Sequence, residues 1–170
     1  MELKDVLATA VTPALALLPD SMNSAKARVM LLAIGLQESR FEHTHQIGGP
    51  AHSWWQFEQG SEKSRGGVWG VLNHHSTMTI ASTLCAQRGI TGADARAVHD
   101  AMEHDQVLAA GMARLLLWTD PRPLPKIGDN GAAWDLYLRT WRPGKPKPQT
   151  WGKLYDQASF AVMRAQQVAA

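Results

Sequence analysis

Cysteine is almost missing from this sequence: Cys85 is the only one in 170 residues, so no disulfide can form within the chain and a disulfide-stapled fold is excluded. Cys85 sits in the apolar stretch Ile80 to Ala86 with no basic neighbour to activate it, and reads as a small buried thiol rather than a nucleophile. Long hydrophobic runs are missing too. No stretch approaches the ~18 apolar residues of a membrane span, so stable insertion through a helix is not expected. Behind Met1-Glu2-Leu3-Lys4-Asp5 there is no basic n-region, apolar core and small-residue cleavage site, so the expectation is a chain made in the cytoplasm without a signal peptide. Concentrated charge is lacking as well. The net charge is +2 with basic residues scattered, which leaves no electrostatic footprint for nucleic acid. No internal repeat and no convincing strand ladder stand out.

What is present is apolar residue in quantity. Hydrophobic types make up 45% of the chain, enough for a real core in one domain of ordinary size, and the patterning makes that domain mainly α. Lys4 to Leu18 reads as a packing helix ended by Pro19-Asp20. A second helix starts behind the N-capping residues Asn23-Ser24 and runs to Glu38-Ser39, apolar on more than one face and therefore central. Gly35 inside it costs about 1 kcal/mol relative to alanine and signals a close neighbour.

From Arg40 to about Ser76 the pattern breaks into Gly48-Gly49-Pro50, Gly60, Gly66-Gly67 and Gly70, interspersed with Trp54, Trp55, Phe57 and Trp69. This Gly- and Trp-rich segment is expected to be a loop region forming one side of a cleft. Helices follow from about Ser76 to Gln87, near Asp94 to Ala101, from the cap Asp105 to Trp118, and from about Asn130 to Trp141. Pro143-Gly144-Lys145-Pro146-Lys147-Pro148 reads as a semi-rigid linker to a last helix, with Thr150 as its cap and Leu154, Phe160 and Met163 on its apolar side. The expected organisation is one domain over 1–170, with an N-terminal helix in 1–22, a core in 23–144, and a linker and helix in 145–170.

Glu38 is the residue whose placement suggests chemistry. A glycosidase needs a carboxylic acid kept protonated near neutral pH, which burial against apolar surface achieves. Glu38 closes an apolar helix directly before an aromatic loop. The pattern alone also admits a solvated charge, although a carboxylate at that end opposes the helix dipole.

Gly35-Leu36-Gln37-Glu38-Ser39-Arg40-Phe41 resembles the Glu-Ser motif of the lysozyme-like lytic transglycosylases, within the superfamily that includes goose-type lysozyme. Ser53-Trp54-Trp55-Gln56-Phe57 stands where that family has a Gly-Leu-Met-Gln type motif and shares its glutamine. Ala109 to Leu116 resembles its core helix, and Ala132-Ala133-Trp134-Asp135-Leu136-Tyr137 the start of its Ala-Tyr-Asn motif, with Leu138 in place of the asparagine. The resemblance spans roughly Ser24 to Gly144.

It implies a single lysozyme-like domain that cuts peptidoglycan between N-acetylmuramic acid and N-acetylglucosamine, with Glu38 as sole acid/base and no cofactor. Ser39, Trp54, Trp55, Gln56 and Phe57 would line the cleft. Tyr137 matches the family tyrosine that hydrogen-bonds the glutamate, with Trp134 or Trp141 as alternatives for that wall.

A lysozyme-type hydrolase would need a second carboxylate, for which Glu58, Glu62 and Glu42 are the candidates. Such motifs without an export signal also resemble phage lytic proteins, which reach the wall beside a membrane-permeabilising partner or as part of a virion. A third reading is a virion or wall-binding protein that keeps the fold without turnover. Seven histidines raise a metal reading through His43-x-His45, His74-His75, and His99 with Glu103-His104. The last set is five apart where helical ligands want three or four, and no metal is expected.

Overall fold

The computed structural model describes residues 1–92 and 94–169, and among them the fold is mainly α. Helices α1 (Leu3–Val6) and α2 (Thr12–Ala16) are joined through a widened π turn, Leu7–Val11, into one rod. Pro13 explains the widening: it has no N–H to offer Thr9 O, and its ring needs room against that carbonyl. Val6, Ala10, Val11, Ala14 and Leu15 are buried along one side.

Helix α3 (Ala25–Glu38) starts at Ser24, whose Oγ accepts from Ala27 N at 3.1 Å. Every residue from Val29 to Leu36 is buried, because the rod lies on one flank and the last helix, α9 (Pro148–Ala169), runs along another. Gly35 is required by a contact: a Cβ there would overlap the ring of Phe41, which is folded back beneath the helix end.

The expected loop between Arg40 and Ser76 contains a helix, α4 (Gly67–Asn73). Two glycines in seven residues hide it from propensity. Tertiary contacts hold it, since Val68 and Val71 are fully buried and Gly67, at φ +60°, lies where a Cβ would overlap the Glu58 carbonyl. The rest of the segment is folded on itself by isolated antiparallel bridges His45↔His52 and His52↔Phe57.

Helices α5 (Met78–Gln87), α6 (Ala95–Met102), α7 (Gln106–Trp118) and α8 (Asn130–Trp141) follow, three of them capped by Asp94, Asp105 and Asp129. Pro148, rather than a residue capped by Thr150, begins α9; proline suits a first helical turn because its N–H is not needed there. The Thr150 hydroxyl lies at 3.0 Å from both Lys147 O and Gln37 Oε1. Phe160 and Met163 are exposed, and Trp151, Leu154, Tyr155, Ala158 and Val162 form the buried side instead. The buried cluster runs from Val6 to Val162, so all three expected segments share one core.

Candidate active site

Glu38 is the last residue of the buried helix α3, and its side chain emerges at the wall of an open groove of about 870 Å³. The same groove is lined by Gln56, Phe57 and Glu58 from the glycine-rich segment and by Tyr137, Thr140 and Trp141 from α8. Removal from water pushes the Glu38 carboxyl up from 4.5 to about 7, and among the described residues no cation is close enough to form an ion pair that would offset the desolvation. The Tyr137 hydrogen bond and the positive charge of Lys147 oppose the rise, and the negative charge of Glu58 adds to it. A carboxyl with that affinity holds and releases a proton near neutral pH, as one residue acting first as acid and then as base requires.

Tyr137, rather than Trp134 or Trp141, reaches Glu38: its hydroxyl donates to Glu38 Oε1 at 2.7 Å. Burial and the adjacent carboxylate hold the phenol above its ordinary range, so it stays a donor. Its ring is clamped by Trp151, stacked at 5.2 Å and 15°, and by Trp134 at 5.3 Å. This aromatic packing joins α8 to α9 and fixes where the hydroxyl points.

Replacing Tyr137 with phenylalanine removes the donor that favours the charged form of Glu38, so the carboxyl will rise above about 7. The expected result is an alkaline limb of activity displaced upward by about one pH unit. Spectroscopic titration of the Glu38 carboxyl in both proteins checks it, together with the pH profile of whatever activity the groove supports; a carboxyl and a limb that stay in place would remove Tyr137 from the proton chemistry.

The other residues expected to line the cleft divide. Ser39 is at the groove wall, but its hydroxyl is committed: Oγ donates to Trp54 O at 2.6 Å and accepts from Phe41 N at 3.1 Å, which fixes the turn out of α3. Gln56 lines the groove in the left-handed conformation at φ 48°, its amide donating to Ser53 O at 2.8 Å. Phe57 is buried apart from an edge at the groove and is packed edge-on to Trp141.

Trp54 and Trp55 do not present faces to a ligand there. Trp55 is 0% exposed and donates through Nε1 to Leu31 O at 2.8 Å, while Trp54 packs edge-on against Phe41. The position beside Gln56 alternates inward, and an indole so placed fills the core. Among the second-carboxylate candidates, Glu58 lines the groove, whereas Glu62 and Glu42 are exposed outside it.

Compared with known protein families, with curated proteins and with solved structures, the chain finds no match in any of the three.

The groove has a second rim that the linker reading missed. Arg142, Lys145 and Lys147, from the segment after α8, all line it. Arg142 ends α8 in a left-handed conformation at φ 50°, donates from Nη1 to Ser64 O at 3.0 Å, and places its guanidinium where a side chain on Gly66 would otherwise sit. Gln37 ties the strap to α3 by donating to Lys147 O at 3.3 Å. The available signal was the alternation of prolines with lysines immediately after Trp141-Arg142, which makes a stiff segment displaying cations.

Proposed function

We propose that the chain cleaves the glycan strand of bacterial peptidoglycan between N-acetylmuramic acid and N-acetylglucosamine as a lytic transglycosylase, with Glu38 as its acid/base. The observation that carries this reading is a carboxyl raised to about 7 at the end of a buried helix, held by a buried tyrosine in an open groove. Protonated Glu38 gives its proton to the glycosidic oxygen, and the substrate's own N-acetyl group stabilises the developing charge. The resulting carboxylate accepts the proton of the muramoyl 6-hydroxyl as that oxygen closes the 1,6-anhydro ring, so no water is consumed. The cationic strap suits an anionic polymer with peptide carboxylates along its length.

The test is mass spectrometry of soluble fragments from purified peptidoglycan. Fragments ending in 1,6-anhydro-N-acetylmuramic acid support the reading. Fragments heavier by one water would replace it with hydrolysis.

One observation favours that second outcome: Glu58 lines the same groove and lies near enough to raise Glu38. A transglycosylase needs no second carboxylate, so Glu58→Gln is expected to leave the fragments unchanged and turnover within a few-fold. A loss of about 10²-fold or more with the fold intact would assign Glu58 to water activation in a lysozyme-type reaction.

A further inference from the structure

Away from the Glu38 carboxyl, side chains from two distant stretches converge on one point. His45 and His52 face each other across the bridged turn between them, and Glu103 stands just past the end of α6. Glu103 Oε2 lies 3.3 Å from His45 Nδ1 and 3.4 Å from His52 Nε2, and the three atoms lie within 4.8 Å of one another. Ligands bonded to zinc at about 2.0–2.1 Å in a tetrahedron stand about 3.4 Å apart, against about 3.0 Å between neighbours in an octahedron. We propose that His45 Nδ1, His52 Nε2 and Glu103 Oε2 form a binding site for a tetrahedral divalent metal ion of the zinc class.

Hydrogen bonding around His52 supports the assignment. Its Nδ1 is 2.8 Å from the carbonyl oxygen of His99, an atom that only accepts, so Nδ1 carries the hydrogen. In the neutral ring Nε2 is then a bare lone pair aimed at a carboxylate oxygen, and two acceptors face each other. A cation between them resolves the conflict. A ligating histidine whose second nitrogen donates to a backbone carbonyl is the usual way such a ring is oriented.

The ring is also held from behind. His52 is buried and stacks on His99 at 3.9 Å and 10°, and His99 Nε2 in turn donates to Phe57 O at 2.8 Å. His45 is exposed, so the fourth position opens to solvent.

The ion would tie the turn at 45–52 to the helix end at Glu103. That turn presents Gln46, Ile47 and Ala51 to the groove, so the ion braces one groove wall and has no part in proton transfer. The site stands whether or not the glycan reading does.

The test uses untagged full-length protein, treated with chelator, dialysed and titrated calorimetrically with zinc sulfate at pH 7.5. Saturable binding at one ion per chain is expected, weakened roughly 10-fold or more by His45→Ala and by Glu103→Gln. His45 is exposed, so His45→Ala keeps the fold, and metal-free melting curves will confirm it. At a hundredfold excess over the wild-type dissociation constant, zinc will raise the wild-type melting temperature by about 5–10 °C and that of the His45→Ala protein by about half as much or less. Cobalt in place of zinc will give the strong visible bands of a four-coordinate ion. No saturable binding, binding that both variants retain, or a melting temperature that answers to pH but not to zinc would each overturn the site and leave a proton as the occupant.

Discussion

On the proposed glycan chemistry, Glu38→Gln will lower the release of fragments by about 10²–10⁴-fold, and independently of that chemistry it will make the protein more stable above neutral pH. The first half follows from chemistry. Glutamine has no proton to give to a leaving oxygen and no carboxylate to take one back, yet its amide oxygen still accepts from Tyr137, so the groove keeps its shape. The second half follows from linkage. Glu38 is raised from 4.5 to about 7 in the folded chain, so folding holds its proton more tightly than the unfolded chain does. That contribution is complete below 4.5 and is lost as pH climbs through about 7, where the native state must carry an ionised carboxyl away from water. Glutamine loses nothing over that range. The stability difference in favour of Glu38→Gln should grow between pH 5 and pH 8.5 to about 2 kcal/mol, or several degrees in melting temperature. Melting curves at both pH values check it; a difference constant with pH would mean Glu38 titrates as an ordinary surface carboxylate.

The central helix was legible because its signal is local. Ser24 caps it, an unbroken apolar stretch fills it, and an acid ends it, and all three are written in consecutive residues. Asp105 and the boundary at Asn130 were readable for the same reason. Helix α4 was not, because it owes its form to Val68 and Val71 meeting a core built elsewhere, while its glycines read as loop. The strap at Arg142 to Lys147 was recognised as stiff but not as a wall, since nothing local tells which surface a proline-rich segment crosses.

The histidine cluster shows the same limit from another side. Local spacing pairs His45 with His43, and Glu103 with His99 and His104, and gives no reason to join either set to His52. The three atoms that converge come from positions separated by the turn at 45–52 and by less than a third of the chain between His52 and Glu103, and only tertiary folding brings them together. Tyr137 lies between these extremes. Its motif is local, but its contact with Glu38 depends on Trp134 and Trp151 holding the ring.

Trp55→Ala is expected to cost about 3–5 kcal/mol of stability, with a fall of about 10 °C or more in melting temperature. The resemblance places Trp55 among the residues lining the cleft; in the fold it is fully buried. Truncation would leave a large cavity beside α3 and remove the indole N–H that donates to Leu31 O at 2.8 Å. The backbone at Trp55 also accepts from Trp141 Nε1 at 3.0 Å, so its displacement would disturb the groove wall on the α8 side. Activity in the variant should therefore fall along with the folded fraction rather than through weaker binding by a folded protein. Denaturant titration separates the two: a variant as stable as wild type but poorer in glycan binding would return Trp55 to the groove. Trp55→Phe, which keeps much of the buried volume but loses some packing along with the donor, should fall between wild type and Trp55→Ala, since the loss is one of packing first and hydrogen bonding second.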